Sequence, residues 1–205
     1  MDIQVQNFYN KFYKSFDASR VRIWKGLREF IASIQPGCTI LEAGCGNGKN
    51  LGYLQKLGFT ALGFDFSKEL LKICQKKEFD VKYGDIRKIP FKDNSVDNII
   101  CIAVLHHLEK EADRVQAVNE MIRVCKPGGR ILVTVWAVEQ ETEEKRNFKF
   151  GGNMVKYEDD FRYYYIYDKP HIEKFVSKFN VEGKTIIEKF FWEKGNWFFQ
   201  IKLDP

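Results

Sequence analysis

The sequence predicts an α/β fold, a doubly wound and mostly parallel sheet that closes with a C-terminal antiparallel hairpin. Three observations carry this. From Thr39 to Trp136, apolar runs of strand length alternate with amphipathic helical patterns, which implies parallel strands joined by right-handed crossovers. The stretch Leu41-Glu42-Ala43-Gly44-Cys45-Gly46-Asn47-Gly48 puts a glycine turn between a strand and a helix, where a ligand can touch bare backbone. Near the end, apolar runs over 186–192 and 196–202 meet at Lys194-Gly195-Asn196, a hairpin signal.

Residues 3–16 carry Phe8, Tyr9, Phe12, Tyr13 and Phe16 at helical spacing, which predicts a helix packed on the sheet edge or lying over the cleft as a lid. A second amphipathic helix is expected over 20–34, with Val21, Trp24, Leu27, Ile31 and Ile34 on one face. Arg20 and Arg22 stand at its start, where the helix dipole disfavours cations, and so hint at an anionic partner. Thr39-Ile40-Leu41 is the first strand; Leu51, Leu54 and Leu57 form one face of the helix that follows. Thr60 to Asp65 is the second strand and 68–77 the next helix, capped by Ser67 or Asp65. Val81 to Asp85 is short. Asp97 to Val104 is apolar almost throughout, as a strand buried on both faces should be. It runs into Leu105-His106-His107-Leu108 and a helix over 110–125. Lys126-Pro127-Gly128-Gly129 breaks that helix before the strand 130–136. Residues 138–160 are polar, with Gly151-Gly152 in the middle, and read as a mobile loop. Four tyrosines follow within 161–167. Asp168 caps a helix that has Pro170 at its start and ends near Phe179. The whole reads as one domain over 1–205, with N-terminal helices in 1–35 and a substrate-side insertion at 138–168.

Composition sets limits. The 205 residues carry a net charge of +5 and a pI near 8.8, which permits a nucleic-acid partner without demanding one. The five cysteines show no C-x-x-C spacing, so reduced core thiols and no metal site are expected. No leader pattern is evident, and the longest apolar run, Ile99 to Leu105, is too short to span a membrane. An intracellular, cytoplasmic or nuclear, location follows as the expectation.

The glycine turn departs from the dinucleotide fingerprint, which would place its third glycine where Lys49 stands. Its E-x-G-x-G-x-G order resembles the first motif of the class I S-adenosylmethionine (SAM) methyltransferases. Asp65, at the end of the second strand, suits a ribose diol, although an N-cap would also explain it. The resemblance implies a seven-stranded Rossmann-like fold with SAM as cofactor. It also implies that Asp85 and the following amide read the adenine edge. The cofactor set is then Glu42, Gly44, Gly46, Gly48, Asp65, Phe66, Asp85, Ile86 and Ala103.

The end of the fourth strand bears on the reaction. The Asn/Asp-Pro-Pro-Tyr/Phe motif common in amine and amide N-methylases is missing. Ala103-Val104-Leu105-His106-His107 resembles instead a broad family that includes quinone-biosynthesis methylases. A narrower resemblance spans nearly the whole chain. Tyr9-Asn10 through Phe16, Ser19-Arg20, Trp136-Ala137-Val138-Glu139-Gln140, Arg162-Tyr163-Tyr164-Tyr165 and Gly195-Asn196-Trp197-Phe198 resemble the eukaryotic tRNA wobble-uridine carboxymethyl methyltransferases. That family esterifies the carboxylate of 5-carboxymethyluridine in tRNA. The 138–160 stretch departs from it, being shorter and lacking a Val-Pro-Trp segment.

A carboxylate, with a pKa of about 4, is already ionised at neutral pH and needs no strong base. Alignment is then the main task, and Arg20, His106, His107, Trp136 and Glu139 are the candidate substrate-positioning residues. A structural role fits either histidine equally well, Trp136 suits stacking on the base or plain core, and Glu139 with Gln140 leaves the strand at the rim. The resemblance also implies a small zinc-binding activator subunit that adds a strand to the edge near Phe79–Tyr83, unless the N-terminal helices cover it. A small-molecule methyltransferase and a non-catalytic scaffold of the same fold are the competing functions.

Overall fold

The computed structural model describes residues 3–19, 22–140 and 148–205. In chain order the elements are α1 (Ile3–Lys11), α2 (Tyr13–Ser19), α3 (Lys25–Ala32), β1 (Thr39–Ala43), α4 (Lys49–Lys56), β2 (Thr60–Asp65), α5 (Lys68–Lys76) and β3 (Asp80–Tyr83). Then come β4 (Val96–Ile102), a 3-10 turn at Leu105–His107, α6 (Glu111–Val124) and β5 (Cys125–Trp136). The rest is β6 (Gly151–Tyr157), β7 (Asp160–Ile166), α7 (Lys169–Ser177), β8 (Thr185–Glu193) and β9 (Asn196–Leu203).

The main sheet has seven strands in the order β3-β2-β1-β4-β5-β9-β8; β9 runs antiparallel to β5 and β8, and the other pairs are parallel. Neighbouring residues point to opposite faces of a strand, and here both faces are covered. Ile40, Ile100, Leu132 and Phe198 pack under α3 and α4, with Leu27, Phe30, Leu51 and Leu54. Leu41, Ile99, Ile131 and Phe199 pack under α6 and α7, with Val118, Met121, Ile172 and Phe175. The unbroken apolar run of β4 thus feeds two cores at once, which makes the fold doubly wound.

Several local expectations need correction. The first helix breaks at Phe12 into α1 and α2. The second is shorter than 20–34 because its N-terminus is fixed from outside: the Glu193 carboxylate accepts the Lys25 and Gly26 amide hydrogens at 3.0 and 2.7 Å. Arg20 and Val21 lie outside the described residues. Leu57 caps α4 and is 45% exposed, so only Leu51 and Leu54 hold that face. β5 begins at Cys125 and takes the Pro-Gly-Gly cluster into the strand, because the β4 register slips between Val96 and Asn98 and leaves the cluster as a bulge.

The largest correction concerns 138–160. Part of it, 141–147, lies outside the described residues, but β6 and β7 form an antiparallel hairpin, not a loop. The signal was the alternation in β7: Arg162, Tyr164 and Ile166 point inward and are buried, while Phe161, Tyr163 and Tyr165 are not. α1 packs between this hairpin and α5. Phe8, Tyr9 and Phe12 meet Leu70 on one side and Tyr157 and Tyr163 on the other.

Candidate active site

A cleft of about 870 Å³ opens at the carboxyl ends of β1, β2 and β4. The sheet order reverses between β1 and β4, so their following loops diverge and leave a crevice there. Glycine is required at this junction. Gly44 has φ +80°, and a Cβ on it would stand 2.4 Å from Val104 at the end of β4. Ala103, beside it, holds φ +59° without being glycine and donates its N–H to Thr134 Oγ1 at 2.9 Å. Backbone strain of this kind concentrates at functional sites.

Two buried carboxylates face the cleft. Glu42 Oε1 accepts from Asn50 Nδ2 at 2.6 Å, while Oε2 has no hydrogen-bond partner among the described residues. Burial pushes the Glu42 carboxyl up to about 8, against the lowering effect of Asn50. Asp65 accepts the Ser67 amide on Oδ1 and the Gly46 amide on Oδ2, each at 2.8 Å. It therefore holds the glycine turn in shape, and burial still raises its pKa against those bonds. Ser67 Oγ caps α5 on its own by accepting from the Leu70 amide, so Asp65 is not needed as the cap. Gly46, Phe66, Ile86 and Ala103 also line the cleft, whereas Gly48 sits behind it as the left-handed N-cap of α4.

Asp85 does not line the cleft. Its carboxylate takes two bonds from the Arg87 side chain, at 2.7 and 3.1 Å, and one from the Arg87 amide. Gly84 and Ile86 on either side face the cleft instead, so the adenine-reading role expected of the Asp85 side chain is not supported by this geometry.

The other end of the cleft is aromatic. Trp136 and Tyr164 lie with ring centroids 4.3 Å apart, and Tyr9 and His107 complete the wall. The two predicted histidines part company. His107 is pinned: its Nε2 meets the Tyr9 hydroxyl at 2.8 Å and its Nδ1 meets the Tyr163 carbonyl at 3.0 Å. A carbonyl only accepts, so Nδ1 carries the proton and Nε2 accepts from Tyr9. Burial drives the His107 pKa down to about 3, so the ring is neutral and its lone pair already used. His106 is fully buried, stacked on Tyr164 at 4.5 Å, and does not reach the cleft. Glu139 turns away as well, because the amide of Lys169 at the start of α7 draws its carboxylate to 3.1 Å. Gln140 stays, lining the cleft and donating to the Ala137 and Gly195 carbonyls.

Two features go beyond the sequence reading, which marks Arg22 alone among the cations at the cleft mouth. Tyr164 is a wall residue, and only the inward parity of β7 could have marked it. The mouth of the cleft carries Arg22, Lys25, Arg28, Lys49 and Lys194, drawn from three separate stretches of chain. The lid is tied down: Phe16 of α2 lies over Gly46, and Asp17 accepts from Asn47 Nδ2 at 2.8 Å.

A family model described as a methyltransferase domain matches residues 41–133. Among relatives, a tRNA (carboxymethyluridine(34)-5-O)-methyltransferase of Arabidopsis thaliana is 42% identical over 137 residues, covering 67% of this chain and 33% of that protein. A protein of Encephalitozoon cuniculi named as a methyltransferase is 33% identical over 172 residues, covering 80% of each. Among solved structures, a complex of the Haloferax volcanii Trm112 methyltransferase activator with a protein named as a methyltransferase superposes with a TM-score of 0.70 at 16% identity, covering 96% of this chain and 98% of that one. That likeness concerns the fold. The chain spans about a third of the Arabidopsis relative's length. With its glycine turn, the two buried carboxylates and these matches, the chain belongs to the class I SAM-dependent methyltransferases and is similar to those that modify the tRNA wobble uridine.

Proposed function

We propose that this enzyme binds SAM and transfers its methyl group to the carboxylate of 5-carboxymethyluridine at the tRNA wobble position, giving the methyl ester. The residues fit the cofactor. The unpartnered Glu42 Oε2 suits the ammonium of its amino-acid end, Asp65 keeps lone pairs for the ribose diol, and Phe66 and Ile86 flank a slot for a purine. When bound, SAM supplies an electrophilic methyl on a sulfonium. The observation that favours a carboxylate acceptor is His107: a neutral ring with both nitrogens engaged is a poor base, and an acceptor that is already ionised needs none. The chain's own work is then to hold the base against Trp136 and Tyr164 and to exclude water.

The cations at the mouth suit the phosphates of an anticodon loop, so tRNA binding should weaken steeply as salt rises. The test is transfer of tritiated methyl from SAM to tRNA bearing 5-carboxymethyluridine, with release of the label by mild alkali as the mark of an ester. Label in an alkali-stable product or in a small metabolite, or tRNA affinity flat with salt, would overturn the assignment. We place the reaction in the cytoplasm, where the five free cysteines stay reduced.

We further propose that a small zinc-binding activator docks on β3. This strand ends the sheet, Tyr83 on it is 55% exposed, and α1 touches it through Gln6, whose Nε2 donates to the Tyr83 hydroxyl. The bulk of α1 and α2 lies on α5 and the hairpin, which leaves the outer backbone of β3 available for an added strand. Val81→Asp with Tyr83→Asp should abolish co-purification with the activator in protein whose thermal melting shows that the fold survives, Val81 being half-buried against the core. Full retention of the activator by that variant would place the partner elsewhere.

A further inference from the structure

Arg162 is a buried cation that has no anionic partner among the described residues. Only 4% of it is exposed. Among the described residues its guanidinium has one hydrogen-bond partner, the Tyr9 hydroxyl, to which Nη1 donates at 3.4 Å, and its Nε has none. Rings surround it: Phe8 at 4.9 Å, Tyr157 and Tyr164 at 5.1 Å, Tyr9 at 5.6 Å from the guanidinium carbon. Ring faces offset part of the cost of burying a charge, but they do not replace a counter-ion. A leucine or methionine would fill the space without that cost.

The position of the charge gives it a use. Two of the four rings, Tyr9 and Tyr164, are also walls of the cleft beside Trp136, so the guanidinium lies one ring's thickness behind the acceptor end. Its bonds run in one direction. Arg162 donates to the Tyr9 oxygen, Tyr9 donates to His107 Nε2, and His107 Nδ1 donates to the Tyr163 carbonyl. After burial, Arg162 is a further cause of the lowered pKa of His107, so its field reaches the cleft wall. That field penalises a positive charge on the cleft side and favours a negative one. Arg162 is 4% exposed, and a buried charge is screened much less than a surface one.

We propose that Arg162 is a positioning residue that makes the acceptor end of the cleft selective for an anionic group, acting from behind Tyr9 and Tyr164 without touching the substrate. This rests on the carboxylate reading above and names the residue that enforces it. Neutral acceptors of the same shape, such as a carbamoylmethyl base, gain nothing from that field.

The test compares wild type, Arg162→Met and Arg162→Lys. Affinities are measured for tRNA carrying 5-carboxymethyluridine, for the same tRNA carrying the neutral carbamoylmethyl base, and for SAM. Arg162→Met should lower the preference for the anionic tRNA over the neutral one by about tenfold, with SAM affinity unchanged. Arg162→Lys, which keeps the charge and loses the fork, should restore most of it. A loss of the same size for both tRNAs would make Arg162 a wall-building residue only and overturn the proposal. If Arg162→Met does not fold, the free nucleosides are compared on wild type and Arg162→Lys, and equal affinity for anionic and neutral nucleoside in both overturns it. Failure of the carboxylate reading is seen separately, as absence of ester product in wild type, while the binding preference still reports on Arg162.

Discussion

Asp65→Ala should weaken SAM binding by roughly ten- to a hundredfold, about 1–3 kcal/mol, because one carboxylate serves two structures. On the proposed reading its remaining lone pairs serve the ribose, and it also receives the Gly46 amide at 2.8 Å, which fixes the turn between β1 and α4. Removing it leaves the buried Ser67 amide and the half-buried Gly46 amide without their acceptor. The loss should therefore show twice, in calorimetric affinity for SAM and in a lowered thermal midpoint of the free protein. Melting should fall by several degrees even with no cofactor present. An unchanged affinity in a folded variant would remove the ribose assignment. An unchanged midpoint would remove the role as a strut.

Glu42→Gln is expected to trade the other way. Burial raises the Glu42 carboxyl to about 8 from its ordinary 4.5. Between those two values the folded chain holds a proton that the unfolded chain has lost, so stability falls as pH rises from about 4.5 to 8. Glutamine keeps an acceptor for Asn50 and cannot ionise. The variant should match wild type near pH 5 and exceed it by roughly 2–4 kcal/mol at pH 8, with SAM affinity reduced. Urea unfolding of both proteins across this range checks the sign, and a difference that stays constant with pH would refute the linkage. A further signature is proton release: an ammonium group placed at Oε2 ionises Glu42, so the heat of SAM binding in wild type should vary with the buffer's ionisation enthalpy. In Glu42→Gln that variation should vanish. Here stability is given up at a site whose occupant restores it.

Which parts of this site could be read from sequence follows from how local each requirement is. Gly44 could be read because a left-handed turn squeezed against β4 tolerates no side chain, and that demand falls on one position. β2 was readable to the residue, Thr60 to Asp65, since a strand between two breakers has little freedom. Ser67 as the cap of α5 followed from chemistry within three residues. The hairpin of β6 and β7 was missed because its pattern is broken by Gly151-Gly152 and its inward face is polar, with an arginine and a tyrosine where aliphatic residues would mark a strand. Glu139 was misjudged for a related reason. Its rim position suggested the substrate, but the start of α7, thirty residues on, competes for the carboxylate.

The sequence by itself determined the doubly wound sheet and the glycine turn that opens the cleft, because alternating hydrophobicity and glycine backbone freedom act over a few residues. Only the tertiary structure decided the aromatic end of the cleft. It separated His107, held by Tyr9 and Tyr163, from His106, sealed behind Tyr164, and it turned Asp85 toward Arg87 and away from the cleft. It also brought Arg162 to Tyr9, 153 positions away in the chain. Whether a polar side chain meets water, a ligand or a buried partner depends on which distant donor or acceptor arrives beside it, and no local pattern encodes that distance.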